Sequence, residues 1–425
     1  MKRSFHESRS APAPPLRHQR DYRLLWTSRT IAVTGSEVSK LAVPLSAVTL
    51  LSASPLQMGL LTAAGFAPNL LFGLQAGALA DRLRRHRPLM IACELAACVA
   101  ALAVPLAWWL GALSVPLLVC VAFVIGTAGA VYRAASFPHL AAVVPTEQRT
   151  EAMAGLQASY SVASVTGPGL AGLLVQTLTA PLAVLAEALS SLASALLMGR
   201  IRTPENRSPA PSHGMWRDIR EGLRTALRHR SLRALIAAGV TINFFAMAYT
   251  AVYMLYMLRE LGIPAGALGL LVMLGGLGGI AGAWLTARTS RRVGTNALLR
   301  WSVLLFPLNI FTVGLISGPL WWKLTAIACT GLLTGGIVVV FATCLGAVVL
   351  RESPAELQGR VNATFTFAIQ GVLAVGGAVG GAAAELVGLR PVVLACAAGL
   401  ILSGLWIWFS PLRHREPTQR TPPVP

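Results

Sequence analysis

Apolar residues in this chain come in long runs separated by short polar breaks. The runs cover about 30–52, 56–80, 88–111, 114–135, 151–177, 180–199, 233–258, 266–287, 295–317, 320–350, 361–387 and 389–410. Each approaches or exceeds the roughly 20 residues that carry a helix across about 30 Å of hydrocarbon. A transmembrane β-barrel would instead show segments of about 10 residues with alternating polarity, and none occur. The pattern predicts an all-α membrane protein of twelve transmembrane helices.

The runs fall into two sets of six, about 21–200 and 233–411, which echo one another. Gly77-Ala78-Leu79 and the arginines after it return weakly as Gly282-Ala283-Trp284 with Arg288, Arg291 and Arg292. The small-residue ridge at 165–175 lines up with another at 374–384. Pro145, Glu147 and Arg149 correspond in kind to Pro354, Glu356 and Arg360. Parallel six-helix repeats are a transporter architecture, with the substrate site between the halves near the midplane. The expected division is an N-terminal tail over 1–29, a bundle over 30–200, a linker over 201–232, a second bundle over 233–410 and a tail over 411–425. Within the linker, Met215, Ile219, Leu223 and Leu227 recur every four residues among arginines. That predicts an amphipathic helix on the inner membrane surface or beneath the bundle, or a solvated tether.

The net charge of +19 and 55% hydrophobic content sharpen this picture. Threading the twelve runs with the N-terminus inside places 31 of the 35 lysines and arginines on one side. The other side receives Arg259, Lys323 and Arg390, and Lys40 falls within the first run. This is the positive-inside bias with both termini cytoplasmic. Basic charge so distributed reads as topology and attraction to anionic lipid, not nucleic-acid binding.

All six cysteines lie within the runs without CxxC spacing, and read as small packing residues. The seven histidines are assigned to tails and loops with no ligand spacing, so no metal site is expected. The polar, proline-bearing segment to Pro15 is too long a lead for a simple cleaved signal, and the first run is expected to act as an uncleaved insertion signal. Neither GxxxxGK[ST] nor a GxSxG, HExxH or DxDxDG motif is present, which argues against ATP-driven transport and against an enzyme, with no cofactor expected.

The break between the second and third runs reads GALADRLRRHR, Gly77 to Arg87. Gly77 would let two helices approach closely. Asp81 at the membrane edge can accept charge-assisted hydrogen bonds from an arginine or a helix N-terminus. Such a contact holds a gate in one conformation and breaks in the other. Arg82, Arg84, Arg85 and Arg87 also serve as topology anchors. This stretch resembles the loop signature of the major facilitator superfamily, with Gly77, Asp81, Arg82 and Arg85 at its chief positions. Residues 20–26, 187–205 and 217–236 are similar to the subgroup containing the enterobactin exporter and macrolide efflux proteins. The resemblance implies two pseudo-symmetric halves and transport by alternating access.

Gly167-Pro168-Gly169-Leu170-Ala171-Gly172 in the fifth run resembles the superfamily's antiporter signature, with Ala171 replacing one glycine. Proline removes a backbone donor and kinks the helix. The resemblance implies export; as a bare pattern, Gly167, Pro168 and Gly172 form a packing ridge.

Glu37 and Lys40 lie three residues apart in the first run, on one helical face, roughly 10–15 Å deep at 1.5 Å per residue. Charges at such depth require pairing or solvation and point to function. Glu37 is the candidate to carry a coupling proton, or one half of a structural ion pair. The resemblance implies that this run lines a central cavity. Arg133 can meet an anionic substrate, pair with an acid or anchor the membrane edge. Asn243, Gln157 and Gln370 are candidate cavity polar groups, whereas Glu94 and Glu187 are expected to make structural hydrogen bonds. Trp108, Trp109, Trp321 and Trp322 form an interfacial belt.

The expected activity is proton-coupled efflux of a small amphiphilic molecule (a drug, natural product or siderophore) from the bacterial cytoplasmic membrane by a monomer. The alternatives are an importer or facilitator of the same fold, or a receptor or scaffold that no longer transports.

Overall fold

The computed structural model describes residues 14–83, 85–205, 230–352 and 358–409. Among these, helices run α1 Arg20–Leu50, α2 Pro55–Arg82, α3 Arg87–Trp109, α4 Val115–Val143, α5 Arg149–Thr177, α6 Ala180–Ala183 and α7 Leu185–Gly199. The second half continues α8 Arg230–Arg259, α9 Ala265–Val293, α10 Thr295–Leu305, α11 Leu308–Leu315, α12 Leu320–Glu352, α13 Gln358–Val387 and α14 Leu389–Trp408. No strand occurs among the described residues. Helix is what hydrocarbon selects, because it satisfies each backbone N–H and C=O internally.

Eleven segments of the described chain are long and apolar enough to span a membrane, and α2 completes twelve antiparallel passes. α6 with α7, and α10 with α11, each form one pass. The ninth run breaks after Leu305 because Pro307 cannot donate to the ladder. α1 starts at Arg20, ten residues before the expected boundary at 30. Tyr22 and Leu25 pack there on Leu140, Val144, Ala152 and Ile201. Asp21 accepts from the Thr203 N–H at 2.8 Å and the Thr203 hydroxyl at 2.6 Å. Asp21 and Tyr22 of this first turn therefore have partners, and the helix continues below the apolar run. The linker stripe from Met215 to Leu227 lies outside the described residues.

The connections at 51–54, 110–114, 178–179, 260–264, 316–319 and 388 share one face, here the distal face. Those at 83–86, 144–148 and 294 share the opposite, basic face. Gly388 joins α13 to α14 alone at φ +92°, a left-handed conformation that favours glycine. The three distal cations all have structural work. Arg259 donates to the Ala53 carbonyl at 3.0 Å, Lys323 to that of Leu261 at 3.0 Å, and Arg390 to that of Gly314 at 2.9 Å. Each satisfies a carbonyl near a helix end.

One large buried cluster runs through both halves, and two smaller ones lie in the N-terminal half. α1 lies against α5 and α7, and α8 against α13 and α14. The halves meet along two seams, α2 with α13 and α5 with α9, the pairs expected of a two-fold repeat.

Candidate functional site

Both seams are tightest at their distal ends, where glycine faces glycine. A Cβ on Gly172 would sit 3.1 Å from the Gly269 Cα, and one on Gly269 would sit 2.5 Å from the Pro168 carbonyl oxygen. Across the other seam, a Cβ on Gly381 would sit 2.5 Å from the Gly59 Cα. The Leu56 N–H donates to Glu385 at 3.0 Å beside it. Deeper in, the contacts pass to side chains. A Cβ on Gly169 would meet the Met273 sulfur at 2.7 Å, and one on Gly371 would meet Leu70 Cδ1 at 3.0 Å. Further toward the basic face, a Cβ on Gly73 or Gly77 would meet nothing within 4 Å. Among the described residues the halves are joined most closely toward their distal ends, and the open space beside Gly73 and Gly77 of α2, toward the basic face, is here called the gap.

Gly77 therefore makes no close helix contact in this conformation. The close contact occurs at its counterpart Gly282, where a Cβ would lie 2.6 Å from the Gly336 Cα on α12. α2 carries Asp81 and Arg82 in its last turn; their side chains, and Arg84, lie outside the described residues. Arg85 is exposed.

The Gly167–Gly172 motif divides its work. Gly172 and the Pro168 carbonyl belong to the cross-half seam. Gly167 instead faces α1, where a Cβ would overlap that of Glu37. Glycine there lets α5 press directly on the helix turn that carries the acid.

Glu37 is buried and paired with Lys40 Nζ at 2.5 Å, whereas the Lys40 side chain is 58% exposed. α1 is covered mainly by α5, α6 and α7 of its own half. Behind Glu37, sequence reasoning missed a connected group. Glu187 of α7 is buried beside the Ser39 hydroxyl and lies within electrostatic reach of Glu94, Lys40 and Glu37. The Ser39 hydroxyl is itself buried without a hydrogen-bond partner of good geometry. Glu94 of α3 accepts from Ser194 at 3.1 Å and lies near Ser191 and Arg29. The Arg29 guanidinium rests over the Tyr132 ring, 4.8 Å from its centroid. Glu94 thus makes the expected structural hydrogen bond and also belongs to this group. No single-helix spacing signals it, because its members come from three helices.

Arg133 of α4 is exposed and donates to the Asn69 side-chain oxygen of α2. Arg29 of α1 and Tyr160 of α5 lie within its electrostatic reach. These four helices enclose the gap on the N-terminal side, so Arg133 points into it. Asn243 donates to the Gly239 carbonyl of its own helix at 2.8 Å and is half-buried.

His139 lies inside α4 and is fully buried, contrary to its assignment to a loop. Its Nδ1 meets the carboxylate of Glu205, which follows α7. Glu205 also accepts from the His86 N–H and, at 3.2 Å, the Arg87 N–H. Arg87 in turn donates to the Ile201 carbonyl. Burial alone would raise the Glu205 pKa, but these hydrogen bonds hold it below the usual carboxylate range. The loop before α3 is therefore fastened to the end of α7 by an acid that sequence reasoning gave no role.

Among the described residues, no three His, Cys, Asp or Glu side chains gather as a metal site would require.

The family model described as transmembrane secretion effector matches residues 10–423. No curated protein matches the chain in sequence. The fold is similar to that of a mutant of the nucleoside transporter NupG, with a TM-score of 0.74 at 9% identity over 93% of this chain and 99% of that one. It is also similar to a bacterial homologue of the iron transporter ferroportin in an inward-facing state, with a TM-score of 0.72 at 14% identity over 92% and 98%. A bacterial homologue of the human lysosomal transporter Spinster, inward-facing and unoccupied, gives 0.66 at 14% identity over 93% and 97%. At such identities these likenesses establish the fold alone.

Proposed function

The chain belongs to the transmembrane secretion effector family of the major facilitator superfamily, which makes it a membrane transport protein and not an enzyme, and on that premise we propose that it is a proton-coupled exporter of small amphiphilic molecules. The basic face is the cytoplasmic face of a bacterial cytoplasmic membrane, with both termini on that side and the protein working as a monomer. On this reading the gap opens to the cytoplasm and the glycine seams close the outside.

The observation that carries the reading is the position of Glu37. It is buried where α1 meets Gly167, five residues from the Gly172 seam, and its ion-pair partner Lys40 is exposed. Protonating Glu37 removes the charge that holds Lys40, and it does so beside the helix whose other glycine closes the outer seam. A change in protonation and a change in the seam are thereby mechanically adjacent. Glu187 and Glu94 extend the acid group behind Glu37 and offer sites to which a proton can move. Asp81 and Arg82, with Gly77 and Arg85, act as a latch of the opposite, outward-open arrangement.

The test is dye uptake into everted vesicles under an imposed pH gradient, with fluorescein and rhodamine 6G, dyes of opposite charge, each tried separately as the cargo. Export coupled to protons predicts accumulation that collapses with a protonophore and in Glu37→Gln. Full gradient-driven accumulation in Glu37→Gln would place the coupling proton elsewhere. Accumulation indifferent to the protonophore would refute proton coupling.

A further inference from the structure

The mid-membrane charges of the N-terminal half are sorted by sign. The three carboxylates are turned into the bundle, with Glu37 at 8%, Glu94 at 6% and Glu187 at 3% exposed. Of the cations, Lys40 and Arg133 are exposed, whereas Arg29 is half-buried over the Tyr132 ring. Lys40 is held by Glu37, and Arg29 faces Glu94. Arg133 is hydrogen-bonded to a neutral amide.

Among the described residues, the nearest further acid along α4 is Glu205, which meets His139 six residues and about 9 Å from Arg133 and is already taken up by hydrogen bonds there; Asp218 and Glu221 lie outside the described residues. Asp81 is twelve residues beyond Asn69 on α2, about 18 Å along the axis, and Glu151 is nine residues before Tyr160 on α5, about 14 Å away. In the second half Glu260, Glu352 and Glu385 all sit at or near helix ends, and Glu356 lies outside the described residues. The gap wall therefore presents a guanidinium with Asn69, the 44%-exposed Tyr160 and the exposed Gln157 around it. Low-dielectric walls concentrate such a field, and a guanidinium presents a fork matched to carboxylate or phosphate oxygens.

We propose that the gap binds an amphiphilic organic anion, its carboxylate, sulfonate or phosphate on Arg133 and its apolar body against the neighbouring helices. This names the substrate class of the exporter and rests on that reading only for the occupant being cargo. The electrostatic selection itself can be measured without transport.

The experiment places one cysteine at the gap, Tyr160→Cys in a chain with its six native cysteines replaced, in detergent without anionic lipid. Labelling rates are compared for a sulfonate-bearing and a trimethylammonium-bearing methanethiosulfonate, each relative to its rate with a free small thiol. The rate ratio isolates the reagent's charge from any change in thiol reactivity. The sulfonate is expected to be favoured by about tenfold or more, with the preference lost in Arg133→Gln and kept in Arg133→Lys. Equal rates, a faster ammonium reagent, or a preference that survives Arg133→Gln would overturn the assignment. Fluorescein is expected to protect the cysteine and rhodamine 6G, of similar ring system and opposite charge, to leave it reactive. The reverse order would overturn the substrate class. In a further arm, added phosphatidylglycerol is expected to leave labelling unchanged. Protection by that lipid would make a headgroup the occupant and overturn the small-molecule assignment. Failure of proton-driven uptake would leave all these rates unaffected.

Discussion

Gly172 of α5 and Gly269 of α9 meet across the two halves with no side chain between them, a Cβ on Gly269 lying 2.8 Å from the Gly172 Cα. Backbone contacts of this kind cannot yield by rotamer change, so an added methyl must part the helices. Gly269→Ala is expected to weaken the closed outer seam by about 1–3 kcal/mol, the usual range for overpacking a tight contact. Gly77→Ala, whose Cβ would meet nothing, is expected to leave the seam intact. Labelling of Ala171→Cys, which is fully buried beside Gly172 in the closed arrangement, by a membrane-impermeant maleimide from the outer side reads the difference. Faster labelling in Gly269→Ala alone is the expected outcome.

Gly167 sets the position of Glu37, and the two neighbouring glycines of the motif separate its roles. Gly167→Ala is expected to abolish proton-driven dye uptake at normal expression, as Glu37→Gln does, because the added methyl displaces the acid. Gly169→Ala meets the flexible end of Met273 and is expected to be tolerated. Equal activity of the two variants in everted vesicles would detach the motif from Glu37.

Glu205 gives a pH signature separate from transport. Its carboxyl is held below its ordinary range in the folded protein, so its contribution to stability is present above the unfolded-state value near 4.3. That contribution is lost as pH falls through the depressed folded value. Glu205→Gln leaves His139 Nδ1 and two backbone N–H groups with a weaker acceptor, at a cost of about 1–3 kcal/mol near neutral pH. Thermal unfolding is expected to show the variant less stable than wild type near pH 7, with the difference narrowing as pH falls below about 4. A constant difference across that range would remove Glu205 from the titrating groups.

The twelve passes were legible because each requirement is local: length, hydropathy and the charge of the breaks. Gly388 and Pro307 mark their turns by backbone chemistry alone. What stayed hidden depends on which faces meet. Glu37 and Lys40 declared themselves by spacing on one helix, but Glu94 and Glu187 look peripheral until α1, α3 and α7 are packed together. His139 was misplaced because α4 continues past the apolar run to Val143, and its partner Glu205 is 66 residues away. Gly77 meets nothing close in this conformation, because its packing depends on which arrangement the halves adopt.

Alternation between the two faces is the centre of this account, and paired spin-label distances test it without any substrate. One pair, Thr150→Cys with Val293→Cys, spans α5 and α9 at the basic face. The other, Thr177→Cys with Pro264→Cys, spans the same seam at the distal face. On moving between high and low pH, the basic-face distance is expected to shorten as the distal distance lengthens, and Glu37→Gln is expected to suppress both changes. Distances that move in the same direction at both faces, or that stay fixed while the protein remains folded, would contradict the account.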